Sequence, residues 1–69
     1  SVQERIDFLV QLLQARGQAV FSEVGGRTVE EVVATFLAIL ELLRRGLISA
    51  AQEALFGEIR ISLALATGP

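Results

Sequence analysis

The sequence predicts an α+β fold, a winged helix-turn-helix of three helices and a β-hairpin wing, on three observations. Ser1 with Glu4 and Thr28 with Glu31 form two capping boxes, each opening a long stretch of apolar residues at helical spacing. A short helical turn lies between those stretches. After the second comes a strand–turn–strand whose last limb alternates apolar and polar residues. Helix, short strand, helical turn, long helix, hairpin is the winged-helix order.

The first helix is predicted over Val2–Arg16. Val2, Ile6, Leu9, Val10 and Leu13 make one face, and Gly17 stops it. Ala19-Val20-Phe21 is β-prone, Ser22 can cap a single turn through Val24, and Gly25-Gly26 ends that turn. From Thr28 a third helix runs to Arg44, Arg45 and Gly46, with cations at its exit where they suit the helix dipole. Leu47–Gln52 reads as a strand, Glu53–Gly57 as a turn and Glu58–Leu63 as a second strand. In that strand Ile59, Ile61 and Leu63 face the core, and Glu58, Arg60 and Ser62 face water. The domain is therefore expected over residues 1–63, with 64–69 a flexible tail or the start of a linker.

Composition removes many functions. Sixty-nine residues allow one domain, near the lower size limit for one unstapled core. There is no cysteine and no histidine, so disulfides, thiolate metal sites and the usual general base are absent. The carboxylates Glu30, Glu31, Glu41, Glu53 and Glu58 do not converge with any base or ligand and read as solvated faces. Gly25-Gly26-Arg27-Thr28 lacks the lysine and spacing of a phosphate loop and reads as a turn. No catalytic residue, cofactor or metal is expected. The apolar run within Val32–Leu40 is too short to span a bilayer, and no charged leader precedes an apolar segment. A start without methionine suggests a domain of a longer chain.

The third helix sits where a DNA-reading helix would lie, yet it is acidic and apolar. It shows Glu30, Glu31 and Glu41, has arginine only at its exit, and the chain contains no lysine. Phosphate contacts from Lys and Arg supply most nucleic-acid affinity, so a protein partner is expected instead. On a helical wheel Val29, Val32, Val33, Phe36, Ile39, Leu40 and Leu43 cluster as a core stripe, with Leu37 and Leu42 on its two flanks. Each flank leucine serves either a helix sandwiched between neighbours or a partner-binding surface. Phe8 and Leu12, an i, i+4 pair on the first helix, either close over the hairpin or stay exposed as an interface. Leu55 and Phe56 lie at the wing tip, where Phe56 points outward unless a bulge at Gly57 turns it to the core. These six residues, Leu37, Leu42, Phe8, Leu12, Leu55 and Phe56, are the candidate partner-binding positions.

The block Thr35-Phe-Leu-Ala-Ile-Leu-Glu-Leu-Leu-Arg-Arg-Gly-Leu-Ile48, followed by Gln52-Glu-Ala-Leu-Phe-Gly-Glu-Ile-Arg-Ile61, resembles the C-terminal winged-helix domain of bacterial kleisins, nearest to segregation and condensation protein A. The likeness extends over about residues 1–63, and the wing is its more specific half. Glu58 stands where aspartate is usual, and Ala54-Leu55 where a glutamate and a proline are frequent. The resemblance implies a non-enzymatic subunit that docks on the ATPase head of a structural-maintenance-of-chromosomes (SMC) dimer and helps close a ring around DNA. It further implies binding of segregation and condensation protein B through another part of the chain, and a cytoplasmic, nucleoid-associated location. Neither direct DNA binding nor membrane attachment is expected. The competing classes are a DNA-binding winged-helix regulator, which a basic third helix would have favoured, and a winged helix of segregation and condensation protein B.

Overall fold

The computed structural model describes residues 1–64 and shows three helices and a three-stranded antiparallel sheet. In chain order these are α1 (Val2–Arg16), β1 (Gln18–Val20), α2 (Phe21–Val24), α3 (Val29–Arg44), β2 (Ile48–Gln52) and β3 (Ile59–Leu63). The sheet order is β1-β3-β2, so the hairpin β2–β3 is extended by β1. Ala19 pairs with Ile61, and Ile61 also pairs with Ala50. This is the α+β winged-helix arrangement predicted from the element order.

Both long helices begin with complete capping boxes. The Glu4 amide donates to Ser1 Oγ at 3.3 Å, and the Glu31 amide donates to Thr28 Oγ1 at 3.1 Å. Glu31 Oε1 in turn accepts from the amides of Arg27 and Thr28, each at 3.0 Å. These bonds satisfy donors that a helix start leaves orphaned. The approach to this cap requires glycine: Gly26 has φ +98°, and a Cβ there would lie 2.4 Å from Glu31 Cβ.

Ile6, Leu9 and Leu13 of α1, Val24 of α2, Ala38, Ile39 and Leu42 of α3, and Ala19, Ile48 and Ile61 of the sheet form the core. The rotational setting of α3 departs from the wheel prediction. Its buried face is Thr35, Ala38, Ile39 and Leu42, while Val29, Val32, Val33, Phe36 and Leu40 are exposed and Leu43 is half-buried. The buried face carries small residues at 35 and 38, whereas the wheel is dominated by the larger side chains on the other side. Leu42 is fully buried, so its candidacy for a partner surface is overturned.

One polar node is built into this core. The Thr35 hydroxyl donates to the Glu31 carbonyl at 2.7 Å and accepts from Arg5 Nε at 2.8 Å. Arg5 also donates to the Val24 carbonyl, and its guanidinium lies 4.8 Å from the Phe8 ring centroid. A single side chain thus ties α1 to α2 and α3, and no buried side-chain polar atom among the described residues lacks a partner.

In the sheet, Ile61 is buried, Ile59 half-buried and Leu63 exposed, so the predicted alternation weakens toward the strand end. Ala64, assigned to the tail, donates its amide to the Leu47 carbonyl at 3.0 Å and continues the hairpin. The rest of the predicted tail lies outside the described residues.

Candidate protein-interaction surface

α3 has two apolar faces. About 150° around the helix from the buried one, at roughly 100° per residue, run Val29, Val33, Phe36, Leu37 and Leu40. Their exposures are 75, 50, 48, 45 and 46%. From Val29 to Leu40 this stripe is about 16 Å long at ~1.5 Å per residue. A recess beside its N-terminal half is lined by Val2, Val29, Val33, Ala34 and Leu37, with Glu30 at the edge. Contiguous large apolar side chains on so small a domain make this stripe the candidate interaction surface.

Phe36 does not float free. Its ring meets that of Phe21 edge-on, centroids 6.3 Å apart at 86°. The next residue, Ser22, donates from its hydroxyl to Glu58 Oε2 at 2.6 Å and from its amide to Glu58 Oε1 at 3.2 Å. Glu58, a solvated carboxylate by sequence alone, therefore fastens the base of the wing to α2. Those Ser22 bonds hold its carboxyl below the usual glutamate range. The stripe and the wing are linked by contacts through α2.

At the wing tip Leu55 and Phe56 are 81 and 93% exposed. Phe56 points outward with φ +62°, the only non-glycine positive φ of the chain's described residues. A bulky side chain in the left-handed region is strained, and such strain persists only where the surroundings impose it. Here the Gly57 amide donates to the Ala54 carbonyl at 2.8 Å, and Gln52 Nε2 to the Gly57 carbonyl at 2.9 Å. Of the two orientations open to Phe56, the outward one is the one adopted.

The remaining candidates divide. Leu37 lies within the exposed stripe. Phe8 is 43% exposed and borders a recess with Arg5, Glu30 and Ala34, next to α3 rather than over the hairpin. Leu12 is half-buried against the core. Val29, Val33, Phe36 and Leu40, placed in the core by the wheel, are surface residues. The signal that could have found them is the spacing of Thr35, Ala38, Ile39 and Leu42 at i, i+3, i+4, i+7, a second complete helical stripe.

Electrostatics disfavour a nucleic-acid role for α3. The exit arginines are not free: Arg44 Nε and Nη2 donate to Glu41 at 3.0 and 2.6 Å, and Arg45 Nε donates to the same carboxylate at 2.7 Å. Arg44 first, then Arg45, pulls the Glu41 carboxyl down to about 2. Phosphates would have to compete with that clasp. Among the described residues no cluster of three or more metal-ligating side chains occurs, and no helix is long and apolar enough to cross a membrane.

The class is therefore a winged helix whose third helix presents apolar side chains and arginines already paired to its own glutamate. The sequence profile of segregation and condensation protein ScpA matches residues 1–64, and the chain belongs to that family. Its members are structural kleisin subunits rather than enzymes, and they act with the SMC complex in chromosome segregation and condensation.

Proposed function

We propose that this domain is the C-terminal winged helix of a longer kleisin and docks through the exposed face of α3 on the ATPase head of an SMC protein, helping to close the SMC–kleisin ring in the nucleoid. The observation that carries the reading is the apolar stripe Val29–Leu40 on the helix that would carry lysine and arginine in a DNA reader. The wing tip, Leu55 and Phe56, supplies a second anchor of the kind that fills a pocket on a partner. ATP chemistry belongs to the head, and binding of segregation and condensation protein B to another segment of the kleisin.

Titration calorimetry of the domain against a folded SMC ATPase head tests this. Leu37→Arg and Leu40→Arg should keep the circular dichroism melt within a few degrees and lose head binding, since both side chains are already half exposed. No association of the unaltered domain at tens of micromolar refutes the reading. Duplex DNA should bind no better than micromolar at physiological salt; tight binding with a steep salt slope would favour a regulator instead.

A further inference from the structure

The exposed side of α3 carries a seam as well as a patch. Val29, Val33, Phe36 and Leu40 follow spacings of four, three and four, the spacing of a helix–helix seam. Along one edge of that seam Glu30, Leu37 and Arg44 recur every seven residues. Val33, Phe36, Leu37 and Leu40 are about half exposed, and both charged residues are exposed.

When two copies of one helix pack antiparallel about a twofold axis, each edge of the seam meets the same edge of the other copy. An axis beside Leu37 sets Leu37 against itself and Glu30 against Arg44 of the second copy, twice. On both sides of the axis Phe36 then lies two residues, about 3 Å along the helix, from the level of Leu40 of the second copy. A parallel pair would leave each charge level with its own kind. The charge pattern therefore selects one occupant and one orientation.

The hydrogen bonds permit the exchange. Glu30 has no ion-pair partner among the described residues. Arg44 is bound to Glu41, but its side chain is 72% exposed, and Arg45 also holds Glu41 at 2.7 Å. Arg44 can turn to Glu30 of a second copy without leaving Glu41 unpaired. We infer that the domain pairs with a second copy of itself through antiparallel α3 helices, sealed by two Glu30–Arg44 ion pairs, and that this pairing hides the face otherwise open to a partner. The inference rests on the geometry of that face and not on the docking reading.

One helix about 24 Å long buries less than the ~1,200 Å² of a stable interface, so the dissociation constant should be on the order of 10–100 μM. Sedimentation equilibrium of the 69-residue chain at low salt reads it directly. Glu30→Arg and Arg44→Glu, each alone, turn both ion pairs into repulsion and should weaken pairing roughly tenfold. The double variant Glu30→Arg/Arg44→Glu should restore it to near the original value, with circular dichroism confirming that all three variants fold. Val33→Asp, which breaks the seam, should abolish pairing.

A chain that stays monomeric to about ten times that constant overturns the inference. So does pairing that all three charge variants share, or pairing lost on Phe56→Ala, which would move the contact to the wing. A head that fails to bind while the domain still pairs counts against docking alone. A monomeric domain that binds the head does the reverse.

Discussion

Leu42 and Leu37 are five residues apart on one helix, and truncating them should separate its two faces. Leu42 has no exposed surface and packs in the core that α1, α3 and the sheet share, whereas Leu37 is 45% exposed. Removing a fully buried leucine side chain beyond Cβ costs about 2–5 kcal/mol, the transfer term plus the cavity left behind. A chain of this length has roughly 3–10 kcal/mol of stability in all. Leu42→Ala should therefore remove about a fifth of it at the least and most of it at the other extreme. At ~4–8 °C per kcal/mol, the melting midpoint should fall by at least about 8 °C. Leu37→Ala loses only half a burial and leaves no closed cavity, so it should cost about 1 kcal/mol or less, partly offset by the better helix propensity of alanine. Thermal circular dichroism and urea titration of the two variants, side by side, measure both numbers. Midpoints within about 3 °C of each other, or a larger fall for Leu37→Ala, would mean that α3 does not turn Leu42 inward and Leu37 outward.

Three further outcomes follow from the same geometry. Thr35→Val keeps the shape of the side chain but deprives Arg5 Nε of its acceptor, and it should cost about 1–2 kcal/mol in urea; an unchanged midpoint would mean the Arg5 node contributes nothing. Gly26→Ala meets both a left-handed φ of +98° and a Cβ contact of 2.4 Å, so it should destabilise by more than the ~1 kcal/mol that alanine gains elsewhere by stiffening the unfolded chain; a stabilised variant would refute it. Glu31, Glu41 and Glu58 all have folded carboxyl pKa values below the ordinary 4.5, held by the Arg27 and Thr28 amides, by Arg44 and Arg45, and by Ser22. Depressed carboxylates stabilise the fold above their unfolded pKa and lose that contribution as pH falls through the folded one. The urea midpoint should decline from near pH 4.5 down to about 2, where Glu41 titrates, and a flat profile across that window would contradict these bonds.

The helices are legible in the sequence because their ends are chemically marked. Two complete capping boxes, Gly17 and the arginine exit fix where α1 and α3 start and stop, and those signals act locally. Strand order is less accessible: β1 gains its partner only when β3 returns beside it, a pairing about forty residues distant that no local propensity encodes. The rotational phase of α3 escapes the sequence for a different reason. A wheel finds the mean direction of apolar side chains, and on a helix with two apolar faces that mean follows the larger ones. Ala38 and Thr35 weigh little on any hydropathy scale, yet both are fully buried, and Thr35 meets Arg5 of α1. Phe56 is undecidable from sequence because the turn at Ala54–Gly57 sets its direction, and the strained φ there is not encoded in strand alternation.

Two faces on one helix have a consequence for how this domain combines folding with recognition. Stability is drawn from Thr35, Ala38, Ile39 and Leu42, and the surface proposed for partners from residues on the far side of the same backbone. Side chains on opposite sides share few contacts, so substitutions there should add rather than couple. The exception is Phe36, whose edge-on contact with Phe21 runs through Ser22 and Glu58 to the wing. A partner that displaces Phe36 from Phe21 would also bear on the fastening of the wing. Phe21 is thus the middle link of a chain of contacts that runs from α3 to the base of the wing at Glu58.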